Sequence, residues 1–256
     1  MKITAAQRKW IGSLKSARHR REAAAFVAEG TRCVFETLPR FAPRCLVATP
    51  KWLDENGASL PAGAPEPLTA SAEEMRAMSS LQTPQGVLAV YDIPELPPLA
   101  LPSDGELCLA LDTVQDPGNL GTIVRVASWF GIRRIFASET TVDLYNPKVV
   151  QATMGGLAGV ETRYLDLPRF LAEASAAGVP IYGTFLDGAD LYRSELTPGG
   201  IIVLGNEGNG VSAEVGALCD RRLKIPSFPP DGEAVESLNV ATAAAITAAE
   251  FRRRIL

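Results

Sequence analysis

From residue 107 onward the sequence repeats one pattern, a short apolar run followed by a turn and a helical stretch. LCLALD (107–112), RIFAS (134–138), VPIYGTF (179–185) and GIIVLG (200–205) read as strands, and helices are predicted near 119–130, 167–177 and 212–218. Such alternation is answered by a parallel sheet with helices on both faces, because a parallel strand can return only through a crossover. Ligands in these sheets bind beyond the carboxyl ends of the strands, where loops turn toward helices. The least ordinary residues of the chain fall at those places.

Ahead of this pattern, DIPELPPLALPSDGE (92–106) carries four prolines, which excludes a continuous helix or a central strand. An interdomain linker is predicted at 93–105, joining a domain of residues 1–92 to one of residues 106–256. The first domain reads as a small α/β unit. Helices are expected over 5–15 and 31–38, and strands at AAFVAEG (24–30), CLVAT (45–49) and GVLAVY (86–91). Ser71 and Glu74 have capping-box spacing and predict a helix through Met78.

The chain's net charge of −4 argues against nucleic acid only until its distribution is considered. Residues 1–44 hold ten Lys/Arg against three acids, so a +7 end stands on a −11 body. A basic end of this kind creates a local positive potential suited to phosphates. Lys15, Arg18, Arg20, Arg21 and Arg32 are the candidate RNA contacts there, although solvation of helix faces would use the same residues. Four cysteines without CxxC spacing and a single histidine leave no metal site, and the thiols read as reduced. No apolar run is long enough for a bilayer, and MKITAAQRKW is too basic and polar for a signal peptide. A cytoplasmic protein is expected.

Three stretches carry unusual chemistry. In LDTVQDPGNLGTIVRVASWFGI (111–132), a strand end passes through turn residues into a helix that Asn119 can cap. Arg125 lies inside that helix, where the plainer reading is a snorkelling side chain. In IIVLGNEGNGVS (201–212), a buried strand runs into Gly205, Gly208 and Gly210, and Glu207 stands among them needing a partner, for which Arg125 is the candidate. The spacing is neither GxGxxG nor a phosphate-binding loop with its lysine, so dinucleotide and nucleoside-triphosphate binding fit poorly. In LKIPSFPPDGEAVESLNVATAAAITAAEF (223–251), a short strand and a loop lead to Ser237 or Asn239 as the cap of a long alanine-rich helix.

In this order and at these distances, DPGNLGTIVRVASWFG, VLGNEGNGVS and IP…VESLNVATAAAI resemble the three signature motifs of the SpoU-type (TrmH-like) RNA 2′-O-ribose methyltransferases of the SPOUT superfamily. More weakly, residues 4–38 are similar to that family's ribosomal-protein-like substrate-binding domain. The resemblance implies an α/β fold with a parallel sheet knotted as a deep trefoil, behind a small RNA-binding domain. It also implies S-adenosylmethionine as methyl donor, RNA as substrate with rRNA favoured over tRNA, and a homodimer formed through the knotted domain.

Residue by residue, it implies cofactor contacts from Gly183, Thr184, Leu204, Gly205, Asn206, Gly208, Ile225, Pro226 and Leu238. Arg125 matches the catalytic arginine, and Asn119, Glu207, Ser237 and Asn239 match the other polar motif positions. A guanidinium is a poor base at neutral pH, so positioning of the hydroxyl or its phosphate by Arg125 is favoured over proton removal. Glu207 is expected to orient Arg125, with Asn119 and Asn239 fixing substrate and loop. Two departures stand out. SFPPDGEAVE (227–236) lengthens the passage into the third motif, and KVVQATMGGLAGV (148–160) has Gln151 where relatives place a base and no arginine after Leu157. The alternative is a non-catalytic RNA-binding or ribosome-assembly protein, against which the five intact polar positions speak.

Overall fold

The computed structural model describes residues 1–228 and 235–255, which form two compact units. The first comprises 1–96 together with 143–158, the second 97–142 together with 159–256. Most of the loop SFPPDGEAVE lies outside the described residues.

The first unit begins with α1 (Ala5–Ser13), which starts in a reciprocal capping box between Thr4 and Gln7. It continues through α2 (Ala17–Ala23), β1 (Ala25–Glu29), α3 (Thr31–Thr37), β2 (Pro43–Ala48), α4 (Pro50–Asn56) and β3 (Leu68–Thr69). Then come α5 (Ala72–Met78), opened by the predicted Ser71/Glu74 box, and β4 (Val87–Asp92). The sheet order is β1-β4-β2-β3, with β4 antiparallel to both neighbours and β3 parallel to β2. Ile11, Leu14, Val27, Val47, Met75, Leu88 and Val90 close the core on one face of this sheet.

The remaining elements are β5 (Leu107–Leu111), α6 (Pro117–Trp129), β6 (Arg134–Ser138), α7 (Pro147–Thr153), β7 (Glu161–Leu165) and α8 (Leu167–Ala176). They are followed by β8 (Ile181–Asp190), β9 (Gly200–Leu204), α9 (Ala213–Gly216), β10 (Arg221–Lys224) and α10 (Val240–Arg253). Six strands make one all-parallel sheet in the second unit, ordered β10-β8-β9-β5-β6-β7. Central β5 and β9 are buried along their whole length, and Phe136 stacks on Phe170 of α8 at 4.1 Å between ring centres. Edge strand β7, with the sequence ETRYL, was not predicted because it lacks an apolar run. One flank of an edge strand has no partner, so polar side chains cost it little.

Helix α7 belongs to the first unit, where it packs on β1. Tyr145 stacks on Phe26 at 4.7 Å, and Gly155 lies so close to Glu36 that an added Cβ would stand 2.3 Å from the Glu36 Cβ. Gly155 also has φ +88°, so the position requires glycine twice over.

This packing corrects one expected RNA contact. Arg20 is only 3% exposed. Its guanidinium donates to Asp143 at 2.6 and 3.2 Å and to the carbonyls of Leu14 and Lys15 at 2.9 and 2.8 Å, so it is a core group of the first unit. At about 100° per residue, Arg18 and Arg21 share one helix face and Arg20 falls outside it. Of the other four, Lys15 donates to the Ala77 carbonyl at 3.2 Å and Arg18 pairs with Glu22 at 2.7 Å, both on the surface. Arg21 and Arg32 are exposed, with no side-chain partner among the described residues.

Candidate active site

In the six-stranded sheet the chain leaves β5 toward β6 and β7 on one side, while β9, β8 and β10 lie on the other. The topological switch point is therefore the boundary of β5 and β9, whose last residues, Leu111 and Leu204, are in register. Two loops leave the sheet there, one through Asp112 and one through Gly205.

In the first loop Asp116 caps α6, accepting the Asn119 backbone N–H at 2.8 Å, with Pro117 at the first helical position. The helix thus starts three residues earlier than a cap at Asn119 requires. That leaves the Asn119 carboxamide free to work. In the second loop Asn206 and Gly210 exchange backbone hydrogen bonds of 2.8 and 2.9 Å. The Asn206 Oδ1 accepts the N–H groups of Gly208 and Asn209, and its Nδ2 donates to the Thr113 carbonyl at 2.8 Å. The third motif enters at the start of α10, where Asn239, not Ser237, is the cap, accepting from Ala241 and Thr242 at 3.0 and 3.2 Å.

These pieces are joined by one line of hydrogen bonds. Asn239 Nδ2 donates to Asn119 Oδ1 at 2.8 Å, and Asn119 Nδ2 donates to Glu207 Oε1 at 3.0 Å. Glu207 also accepts the backbone N–H groups of Gln115 and Asp116 at 3.2 and 3.1 Å. With an amide donor on one side and a carboxylate on the other, only one orientation of the Asn119 amide satisfies both. Partial burial pushes the Glu207 carboxyl upward, but the hydrogen bonds from Asn119 and the loop amides outweigh it and hold the group below the usual carboxylate range. Its stabilising contribution is present above the ordinary carboxylate value and lost as pH falls through the lower folded one. At neutral pH the line is fully formed.

Arg125 stands apart from it. The residue is exposed and, among the described residues, has no side-chain partner, so Glu207 does not orient it. Helix geometry explains why. Arg125 is six residues past Asn119, about 9 Å along the axis and roughly 120° around it. A carboxylate that binds the first turn of α6 cannot also reach that position. Ser237 is exposed as well, beside Leu238, which is 47% exposed.

Two residues of the site had no role in the sequence reading. Thr113 has φ +61°, an unfavourable conformation for a β-branched residue. Its N–H donates to Ser138 Oγ at 2.9 Å, its hydroxyl meets Thr140 at 2.8 Å, and its carbonyl takes Asn206, so three contacts hold the strained turn. Asp112, buried at the end of β5, accepts the Ser212 N–H at 2.7 Å and ties α9 to the site.

Gly205 and Gly183 are required by the protein's own packing. A Cβ on Gly205 would lie 2.1 Å from the Gly210 carbonyl carbon, and one on Gly183 would lie 2.3 Å from the Phe185 ring. Arg222 covers the same ring at 3.5 Å. Phe185 belongs to an excursion of β8, because consecutive Arg222 and Leu223 of β10 pair with Gly183 and Ala189. Thr184, beside it, donates to the Val203 carbonyl at 3.0 Å. Leu204 is buried in β9, and Gly208 sits in the turn held by Asn206. Replacing Gly205 by alanine is expected to cost about 2 kcal/mol by overpacking, read as a lower denaturant midpoint at unchanged m-value.

A donor such as S-adenosylmethionine needs an apolar wall for its base and polar loop groups for its amino acid. Leu186 in β8, Phe228 after β10 and Leu238 before α10 are exposed by 64, 89 and 47%, and Ile225 and Pro226 are half-buried. Uncovered apolar side chains of this kind suit an aromatic ligand. The residues present fit the group. Among the described residues there is no group of three or more His, Cys, Asp or Glu that could hold a metal ion. Burial pushes the thiols up, Cys33 and Cys108 to about 12 and Cys219 to about 11.

The sequence profile of the SpoU rRNA methylase family matches residues 106–249, which contain every member of the hydrogen-bonded line. The chain belongs to this family. A second profile, the MRM3-like substrate-binding domain, matches residues 7–89. Among relatives, the 23S rRNA (guanosine(2553)-2′-O)-methyltransferase RlmP of Bacillus subtilis is 34% identical over 183 residues, 71% of each chain. Among solved structures, a protein of Porphyromonas gingivalis assigned to the TrmH family of RNA methyltransferases is 42% identical, with a TM-score of 0.86 over 99% of this chain and 100% of that one. The AdoMet-bound rRNA methyltransferase of Sinorhizobium meliloti is 29% identical, with a TM-score of 0.84 over 100% and 98%. As a SpoU family member, the chain places all three family motifs at one end of its parallel sheet.

Proposed function

We propose that this protein transfers a methyl group from S-adenosylmethionine to a ribose 2′-hydroxyl of RNA, with rRNA as the substrate. The observation that carries the proposal is the Asn239–Asn119–Glu207 line, which draws three distant motifs into one rigid site at the switch point. The rRNA assignment is supported by RlmP, named for a 23S rRNA guanosine, and by the substrate-binding profile over residues 7–89.

The sulfonium of the bound donor supplies an electrophilic methyl group. The protein must hold the donor, bring the hydroxyl into line and exclude other geometries. Gly183, Thr184, Leu204, Gly205, Asn206, Gly208, Ile225, Pro226 and Leu238 form the donor-binding set. Asn119, Glu207 and Asn239 are positioning residues that keep the loops in place. Arg125 and Ser237, exposed and without side-chain partners among the described residues, meet the substrate. Arg125 holds the phosphate beside the reacting ribose and stabilises charge on the hydroxyl oxygen, which a permanently protonated guanidinium can do without acting as a base. Lys15, Arg18, Arg21 and Arg32 contribute phosphate contacts from the first unit.

The proposal includes a homodimer and a trefoil knot in the second unit, as membership of the family implies, and a cytoplasmic location. Among the described residues, no helix is long and apolar enough to cross a membrane. The deciding experiment is methyl transfer from labelled S-adenosylmethionine to rRNA of a strain lacking the gene, with 2′-O-methyl mapping. One restored site is the expected outcome. RNA binding without transfer to any RNA would favour a non-catalytic assembly protein.

Asn119→Ala is expected to lower activity about tenfold and stability by about 1–2 kcal/mol, since it removes a hydrogen bond to a charged group. A comparison of turnover with the urea midpoint separates the two effects.

A further inference from the structure

The first unit contains a cleft of about 310 Å³ between α4 and α5, far along the sequence from any methyltransferase motif. Trp52 and Met75, both nearly fully buried, form its floor, and Pro84 adds to the apolar wall. Lys51, Arg76, Gln85 and one carboxylate, Glu55, line it with polar groups. A volume of this order, apolar below with a few polar groups above, is typical of a site for a small organic moiety.

The polar groups are poorly used by the protein itself. Lys51 is 86% exposed and reaches Glu55 only at 3.9 Å, a loose surface pair of little energetic weight. Arg76 is exposed and has no side-chain partner among the described residues. The Gln85 carbonyl oxygen is held by the Thr31 N–H at 3.3 Å, so its amide nitrogen remains as a donor. Gly86 has φ +81°, and a Cβ there would stand 2.9 Å from Thr49 Oγ1, so the floor admits no side chain at this point. Thr31 also receives the Trp52 indole N–H at 2.8 Å.

We infer that this cleft binds one unpaired nucleotide of the RNA substrate. The base rests on the Met75 and Pro84 wall, Gln85 donates to a base acceptor, and Lys51 and Arg76 take the flanking phosphates. A base paired inside a duplex cannot enter such a cleft, whereas a splayed nucleotide of a loop or bulge can, and recognition of RNA sequence depends on such nucleotides. Phosphates match a pair of cations with one loosely held carboxylate, which an acidic peptide would match only in charge. The inference rests on the reading of this chain as an RNA-modifying enzyme, and it names where in the substrate-binding unit an RNA feature is read.

The test uses the full chain and a short labelled single-stranded RNA, with the same RNA annealed to its complement as control. Lys51→Ala/Arg76→Ala is expected to weaken single-strand binding about tenfold. It should also flatten the slope of log affinity against log salt by about 1.4, the share of two phosphate contacts on a single strand. Duplex binding should change less. Gln85→Ala should even out affinity among oligonucleotides that differ in one base. Cross-links from 4-thiouridine should fall on peptides containing Trp52, Met75 or Pro84. Unchanged affinity and salt slope in the double variant, in a protein that melts like the parent, would overturn the inference, as would cross-links confined to other peptides. Methyl transfer is assayed in parallel. If the parent methylates rRNA and the double variant still binds normally, the cleft assignment fails alone. If the parent transfers no methyl group, the enzymatic reading fails and the binding data still decide the cleft.

Discussion

Arg125→Ala is expected to reduce methyl transfer by about 10³-fold while leaving S-adenosylmethionine affinity within a few-fold of the parent. The reason is positional. Arg125 is exposed on α6, without an internal partner among the described residues, so its loss breaks no contact that holds the fold. In the proposed role it removes a permanent positive charge and a planar fork of donors from the substrate, and a loss of that size corresponds to about 4 kcal/mol of transition-state stabilisation. Isothermal calorimetry for the donor and single-turnover transfer to rRNA measure the two quantities. Lysine at the same position tests the role further. It restores charge but not the fork, so partial rescue points to electrostatics and none points to bidentate geometry. Near-normal turnover in the alanine variant would sink the assignment of Arg125.

Arg20→Ala is expected to destabilise the first unit by about 3 kcal/mol, toward the lower end for a broken buried ion pair because Asp143 keeps 28% of its surface in water. Two carbonyls and a carboxylate lose their donor together. The exposed Arg21→Ala should behave in the opposite way, with an unchanged melting temperature and weaker RNA binding at low salt. Thermal melting beside a salt titration of RNA affinity separates the pair. Equal effects on both readouts from both variants would contradict the different surroundings of these neighbouring arginines.

That contrast shows what could and could not be read from the chain alone. Charge counting placed Arg20 with Arg18 and Arg21, because a basic run does not say which member turns inward. The parallel sheet was legible from its apolar runs, and the Ser71/Glu74 start of α5 from its spacing. Strand β7 was not, since an edge position lets polar residues form a strand. Within the site, the three motifs named Asn119, Glu207 and Asn239 but not how they connect. Pairing Glu207 with Arg125 followed from charge alone, and the amide line that replaces it needs the positions of segments 88 and 120 residues apart. Thr113 left no signal at all, because threonine is among the residues least expected at positive φ.

The lodging of residues 143–158 in the first unit also bears on the order in which the protein is made. A ribosome delivers residues 1–96 long before Asp143, Tyr145 and α7 emerge. Until they do, Arg20 lacks the Asp143 carboxylate and Phe26 lacks one of its three ring neighbours, Tyr145. The amino-terminal unit therefore reaches its final state only after β5, α6 and β6 have been synthesised, and the RNA-docking surface proposed for it is completed together with the second unit. A fragment ending at the proline-rich segment would leave those groups exposed, so RNA affinities measured on it would describe an unfinished surface.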